Sequence, residues 1–424
     1  MNITIHRGTD QIGGCVTEYE YNGWRLFVDY GEQLPGTPKT TLRIDGLTYG
    51  DLSKSALLIT HYHGDHIGNI SDIATDIPVY MGYTGCEIYR KLQRRLSRIR
   101  GEEGKKAQKA YNRSGLINTF IEDEEFKFGP FLIHPVKMDH SAYDAYGFVI
   151  SVVEEDIRVF HTGDFRAHGS IGKEFLRTIS MLPPIDTIVC EATNIERSQH
   201  DANPEWKIEQ QFKALFKKNK FNSVFVSSTN IDRLFGIYRA AADAGRIVFM
   251  DEYQYDILNS VIGENDWLSK ESHKREFNKG LPFVLKLDKF SRDTPKFFIP
   301  DKLWQLIKWK GCVLIARQSV QFESLIESFK YLKKYLSQWR GYIDPDSPAY
   351  NPALARLLGS DYKYVHTSGH ADIHTLETLF EKINGVTKII PIHTDNPTKF
   401  MEVFSPKWPV LLLKDGETYT LSGK

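Results

Sequence analysis

Three histidines and an aspartate stand within six positions, His61-Tyr62-His63-Gly64-Asp65-His66. Imidazole nitrogen and carboxylate oxygen are the ligand atoms that suit zinc and related divalent ions. His61 and His63, two apart, can reach one ion from an extended or turning backbone. Gly64 lets the chain bend and point Asp65 and His66 at a second ion. The cluster directly follows an apolar run, Ala56-Leu57-Leu58-Ile59-Thr60, that reads as a short buried strand. A metal-free surface loop rich in histidine would have no reason to sit there.

The same arrangement, an apolar strand delivering a ligand-type residue at its tip, recurs along the chain. A hairpin over Tyr19–Asp29, turned at Asn22-Gly23, ends on Asp29. Phe131–Val136 leads to Met138-Asp139-His140-Ser141, and Ile157–His161 leads through Thr162-Gly163 to Asp164. Asp186–Asn194 carries Glu191. Near the end, Tyr362–Val365 leads to a Ser368-Gly369 turn and His370, whose backbone amides could cradle a phosphate. Val386–Ile392 delivers His393, and a closing hairpin is expected over Pro409–Leu413 and Tyr419–Leu421, turned at Asp415-Gly416. A lone His140 or Asp164 would be read as structural; several strand tips of one chemistry point to a shared site.

At 424 residues the chain exceeds the size at which single cores stop growing, so two domains are the default. Its formal charge is zero, so a polyanion must be met by local patches rather than by global charge. One such patch follows the metal cluster: Arg90, Lys91, Arg94, Arg95, Arg98, Arg100, Lys105, Lys106, Lys109 and Arg113 are interrupted only by Glu102 and Glu103. Four scattered cysteines without a CxxC pair argue against a disulfide framework and against a thiolate zinc site. The N-terminal residues show no leader pattern and no run approaches 18 apolar residues, so a soluble, cytoplasmic protein without membrane contact is expected.

From about Ile195 the character changes. Apolar strands at Ser223–Ser228, Arg246–Met250, Pro282–Leu285 and Gly311–Ala316 alternate with helix-length segments, the signature of βαβ units and a small parallel sheet. Ligand-type residues occur before and after this region. The simplest organisation is a first domain made of residues 1–194 and 362–424, with residues 195–361 inserted into it. Loops mixing cations with aromatics (Lys286, Lys289, Phe290, Arg292, Lys296, Phe297, Phe298) suit a single-stranded nucleic acid.

The hexapeptide His61–His66 resembles the HxHxDH motif of the metallo-β-lactamase fold, with Asp29, His140 and Asp164 in the order and settings of that fold's other motifs. Glu191 in Glu191-Ala192-Thr193-Asn194, His370 in Ser368-Gly369-His370-Ala371 and His393 in Pro391-Ile392-His393-Thr394 resemble motifs A, B and C of the β-CASP nucleases. Ser228-Thr229-Asn230-Ile231-Asp232-Arg233 adds a likeness to the ribonuclease J group. The resemblance implies an α/β chain: a metallo-β-lactamase αββα sandwich with an inserted β-CASP domain.

It also implies roles. His61, His63 and His140 hold one divalent ion; Asp65, His66 and His393 hold another; Asp164 bridges. Zn²⁺ is the expected metal, with Mn²⁺ or Mg²⁺ as alternatives. Asp65, Glu191 and His370 serve catalysis, Asp29 stands behind the ligands, and Ser368 and Gly369 hold a neighbouring phosphate. Two ions can activate a hydroxide for in-line attack on a phosphodiester, with His370 protonating the leaving oxygen. Histidine at motif C goes with RNA in this family, so single-stranded RNA is the expected partner. Two departures stand out: the chain closes soon after His393, without that group's further C-terminal domain, and Ala316-Arg317-Gln318-Ser319 differs from the usual Thr-Gly-Ser-Gln stretch. Other readings are a DNA nuclease of the same family, a metallo-hydrolase of a small ester, lactone or thioester, and a non-catalytic RNA-binding subunit. The size of the insertion disfavours the small-substrate enzyme, and the full set of ligands disfavours the non-catalytic subunit.

Overall fold

In the computed structural model, residues 1–196, 203–262, 283–287, 297–317 and 320–422 are described. The chain divides into two compact units, Met1–Asp201 with Gly369–Lys424, and Ala202–Ser368.

The first unit opens with β1 (Asn2–Arg7), β2 (Val16–Tyr21), β3 (Trp24–Val28), β4 (Ser55–Leu58), β5 (Val79–Gly82) and β6 (Ile117–Phe120). It continues with β7 (Phe126–Phe128), β8 (Phe131–Met138), β9 (Ala145–Val152), β10 (Ile157–His161) and β11 (Thr187–Glu191). The inserted unit supplies β12 (Phe221–Phe225), β13 (Ile247–Asp251), β14 (Phe283–Leu287), β15 (Phe297–Phe298), β16 (Cys312–Ala316), β17 (Lys333–Leu336) and β18 (Tyr362–Tyr364). β19 (Lys388–Ile392) and β20 (Glu417–Thr420) return to the first unit.

Those first-unit strands make two sheets, β20-β1-β2-β3-β4-β5-β6 and β19-β11-β10-β9-β8-β7. Side-chain alternation explains why they pack face to face. Ile3 and Ile5 of β1, Leu26 and Val28 of β3, and Ala56 and Leu58 of β4 share one core with Phe148, Ile150 and Val152 of β9 and Val189 of β11. The intervening residues of the second sheet, among them Val149, Phe160, Ile188 and Cys190, turn the other way. They are covered by the helices Gly172–Ile179, Ile373–Lys382 and Pro397–Phe404. The result is an αββα sandwich.

The inserted unit is a separate α/β body with the strand order β15-β14-β13-β16-β12-β17-β18, parallel throughout except for β15. Here Arg233 is fully buried, its guanidinium paired with both carboxylate oxygens of Glu205 at 2.8 and 2.9 Å.

Three details differ from the sequence reading. Tyr362–Tyr364, assigned to the closing part of the first domain, pairs in parallel with β17 and so ends the inserted sheet. The closing hairpin does not form. Val410 bridges Ile389 instead, and Glu417–Thr420 pairs with Asn2–Ile5, because Ile3 and Ile5 offer a buried edge that a free hairpin lacks. The basic stretch is two helices, Tyr83–Leu96 and Glu102–Ser114, and Arg113 is not on their outer face: it is buried and donates to the Ile77 carbonyl at 2.6 Å. The loop residues Lys289, Phe290, Arg292 and Lys296 fall outside the described residues, as do Gln318 and Ser319. Among the described residues no helix is long and apolar enough to cross a membrane.

Candidate metal centre

Four strand ends and a short helix create the site. β4 is buried along its length, and the chain leaves it through Ile59, Thr60 and His61 into α1 (Gly64–Ile67), which carries Asp65 and His66. β8 leads to His140, and β10 leads to Asp164 through Gly163. Gly163 has φ +57°, and a Cβ there would stand 2.9 Å from the Thr60 side chain, so glycine is required for Asp164 to turn inward. β19 delivers His393, itself held at φ +53°.

The histidines fall into two groups that could each hold an ion: His61, His63 and His140, and Asp65, His66, Asp164 and His393. Within each group the ligand atoms lie within 4.8 Å of one another. A third group, Asp164, Glu191, His370 and His393, shares members with the second. Asp164 is common ground. Its Oδ2 is 3.1 Å from His66 Nε2 and 3.9 Å from His61 Nε2, and its Oδ1 is 3.6 Å from His393 Nδ1.

Hydrogen bonds behind the rings decide which nitrogen faces inward. The Thr60 hydroxyl donates to Asp29 Oδ2 at 2.8 Å and accepts from His61 Nδ1 at 3.0 Å. His66 Nδ1 donates to the same Asp29 oxygen at 2.7 Å, and His140 Nδ1 donates to the Gly369 carbonyl at 2.6 Å. His393 Nδ1 donates to the Thr193 hydroxyl at 2.7 Å, and that hydroxyl turns back onto the His393 carbonyl. In these four rings Nδ1 is committed to the protein and Nε2 is aimed into the cluster, the arrangement that fixes a ligating tautomer; His63 instead turns its Nδ1 toward His140.

The donor set fits divalent metal. His61 Nε2 is buried without a hydrogen-bond partner, as is Asp164 Oδ1. His140 Nε2 and His63 Nδ1 stand 3.4 Å apart. A buried lone pair with no proton to accept costs free energy unless a cation meets it. Burial also depresses the basicity of these rings: His61 and His140 fall well below the usual imidazole range and His63 falls to about 4, so all three are neutral ligands at physiological pH. His66 goes the other way; burial opposes its charge, but Asp164, Asp29 and Asp65 raise it. Burial also opposes ionisation of Asp164, yet His393, His66 and His370 hold its carboxyl well below the usual range.

His370 is set differently. Its Nδ1 lies 3.3 Å from Glu191 Oε2 and 3.6 Å from Asp164 Oδ2, and its side chain is 23% exposed, against 0–2% for His61, His66 and His393. Burial alone would lower its pKa, but Glu191 and Asp164 lift it to about 9. Glu191 also accepts from the Phe165, Ala371 and Thr193 amides, so its carboxylate is fixed to three segments at once.

Asp29, His61, His63, Asp65, His66, His140, Asp164, Glu191, Gly369, His370 and His393 thus converge within the first unit; Ser368 is the last residue of the other. A Cβ on Gly369 would meet Ser141 Oγ at 2.5 Å, so only glycine brings that carbonyl to His140. The bracing hydroxyls of Thr60 and Thr193 escape a search for ligand types. Their signal in the sequence is position, a threonine beside a histidine or glutamate at the end of an apolar strand.

Residues 51–233 match the family model of the beta-lactamase superfamily domain, and the chain carries a metallo-β-lactamase superfamily domain. Curated relatives include ribonuclease J of Sinorhizobium meliloti, 25% identical over 228 residues, which is 52% of this chain and 38% of that protein. Ribonuclease J of Corynebacterium glutamicum is 25% identical over 226 residues, covering 49% of this chain and 29% of that protein. Ribonuclease J of Mycoplasma genitalium is 25% identical over 201 residues, 45% of this chain and 33% of that one. The matches therefore span less than two-fifths of those relatives' length. A crystal structure of a protein of unknown function from Enterococcus faecalis shares the fold, with a TM-score of 0.72, 19% identity and 99% of each chain covered.

Proposed function

We propose that the chain is a metal-dependent ribonuclease that hydrolyses RNA phosphodiester bonds. The observation that carries this reading is the third cluster, where a charged, partly exposed His370 is held by Glu191 beside Asp164. A proton donor beside the metal ligands serves a strongly basic leaving group, such as the 3′ alkoxide of a phosphodiester, and is superfluous for the weakly basic thiolate of a thioester. The likeness to ribonuclease J points the same way.

In this reading His61, His63 and His140 would hold one divalent ion and Asp65, His66 and His393 the other, with Asp164 available to both. Imidazole and carboxylate donors in both groups suit Zn²⁺, with Mn²⁺ or Mg²⁺ as alternatives. When bound, a pair of such ions polarises a phosphoryl oxygen and brings the pKa of a water to about 7. The chain supplies the rest. Asp29, Thr60 and Thr193 keep the ligating nitrogens bare, Glu191 orients His370, and His370 gives its proton to the departing 3′ oxygen. The Gly369 amide is offered to a neighbouring phosphate.

The test presents 5′-labelled, 3′-labelled and circular RNA, with matched DNA and a lactone, in Mn²⁺ or Zn²⁺. RNA cleavage with slower or no DNA cleavage is expected, and the labels read direction and mode. Lactone hydrolysis without RNA cleavage would overturn the assignment.

A further inference from the structure

Ten cations face three carboxylates between Tyr83 and Ser114, in a chain whose formal charge is zero. We write α2 for Tyr83–Leu96 and α3 for Glu102–Ser114. Their inner faces are small and apolar: Cys86, Ile88 and Tyr89 of α2 are buried, as are Ala107 and Ala110 of α3. That packing leaves the cations other than the buried Arg113 on the outer side. Arg90 pairs with Glu87 and Lys105 with Glu102 along their own helices. Arg94, Arg98, Arg100 and Lys109 are exposed and have no carboxylate within ion-pair distance among the described residues. Arg94 stands on α2, Lys109 on α3, and Arg98 and Arg100 in the turn between them; four uncompensated cations in one patch repel one another and attract a polyanion.

The pair is seated against the metal centre. Lys106 Nζ, on α3, bonds the Glu32 carboxylate and donates to Asn69 Oδ1 at 3.0 Å. The Glu32 amide donates to the Gly64 carbonyl at 2.9 Å, and Gly64 opens α1, which carries Asp65 and His66. The cationic face therefore begins beside the segment that supplies the second group of ligands, within one compact unit.

We propose that α2, α3 and the turn between them form an electrostatic docking surface for the phosphate backbone of single-stranded RNA, holding the strand beside the candidate metal centre. The identity of the polyanion rests on the ribonuclease reading above. An acidic membrane surface fits less well, because binding there needs an outward apolar face. Over residues 83–114 only Tyr83 and Ile99 are exposed large hydrophobics. Backbone contacts carry no sequence preference and are set by salt.

The test uses the full chain with Arg94→Gln, Arg98→Gln, Arg100→Gln and Lys109→Gln combined, and a second variant with the three arginines changed to lysine and Lys109→Arg. Binding of a fluorescent 20-nucleotide oligouridylate is measured across NaCl concentrations in chelator. Each lost phosphate contact removes about 0.7 from the slope of log K against log salt, so the neutral variant should lose about 3 and bind at least 10-fold more weakly. The charge-conserving variant should match the parent. With metal restored, the neutral variant should show a raised KM for long RNA and unchanged turnover of bis(p-nitrophenyl) phosphate.

An unchanged slope and KM would overturn the docking surface while leaving ribonuclease activity standing. Equal loss on the small phosphodiester would also overturn it, since the effect would then lie in the site. Binding to phosphatidylglycerol vesicles but not to RNA would replace RNA by a lipid surface. Failure of the parent to cleave any RNA would sink the ribonuclease reading, and the salt slope would still decide whether the surface binds RNA.

Discussion

Replacing Asp29 by asparagine should weaken metal binding while leaving the fold in place. Asp29 has φ +61°, a conformation asparagine tolerates, and the two side chains have the same shape. One oxygen accepts from the Thr60 amide at 2.8 Å; the other accepts from the Thr60 hydroxyl at 2.8 Å and from His66 Nδ1 at 2.7 Å. In the amide, oxygen can stay on the Thr60 N–H, so the NH₂ group replaces the second oxygen. The Thr60 hydroxyl can rotate to accept. His66 Nδ1 can accept only if its proton moves to Nε2, the atom that faces Asp164 at 3.1 Å. Nε2 must be bare to ligate, so the substitution favours the wrong tautomer.

Losing such a partner typically lowers metal affinity 10–100-fold, or about 1.4–2.7 kcal/mol. The cost to the metal-free fold should be about 1–2 kcal/mol, since two of the three bonds must reverse and one is kept. Competition for Zn²⁺ against a chelating dye reads the first quantity, and thermal unfolding in chelator reads the second. An affinity within twofold of the parent would refute the claim that Asp29 sets the His66 tautomer.

His370→Ala should retain metal, because His370 belongs to neither of the two principal ligand groups, yet lower RNA turnover by about 10²-fold or more as a proton donor is lost. Undiminished cleavage would remove it from the chemistry. A stability prediction concerns Asp144, which accepts from Lys137 Nζ at 2.6 Å, the Gly85 amide at 2.9 Å and the Tyr146 hydroxyl at 3.0 Å. Burial opposes its charge, but Lys137 and these donors hold its carboxyl below the usual range. Its contribution is therefore present above about pH 4 and lost as pH falls through the depressed folded value. Asp144→Asn should cost about 2–3 kcal/mol at neutral pH, below the full buried-pair value because Lys137 is partly exposed, and should flatten the acid limb of the thermal midpoint against pH. An acid limb identical to the parent's would show that this ion pair contributes nothing.

Much of the site is legible in the sequence because its chemistry is local to strand tips. Ala56–Thr60 before His61 and Ile157–His161 before Asp164 announce themselves as buried strands leading to ligand-type residues, and buried strands stand at Ser55–Leu58 and Ile157–His161. What brings Glu191 to His370, or Gly369 to His140, depends on contacts across 179 and 229 positions respectively, which periodicity does not encode. The hydroxyl braces are invisible for a related reason. Thr60 and Thr193 act by accepting one proton and directing another, and only the geometry around Asp29 and the His393 carbonyl shows it. At the periphery, patterning alone misplaced Arg113, whose charge marks it as surface but whose guanidinium is spent on the Ile77 carbonyl. It also misjudged Glu417–Thr420, which finds a better partner in β1 than in its own neighbouring segment.

The central claim, that these His and Asp clusters form a dinuclear centre that drives RNA hydrolysis, is tested most directly by measuring metal content and RNA turnover on one sample. Chelated protein is titrated with Mn²⁺ or Zn²⁺ while both are followed. Turnover should be absent without metal and should rise to its full value as the second equivalent binds. Full RNA turnover with less than one equivalent of divalent metal per chain would contradict the account.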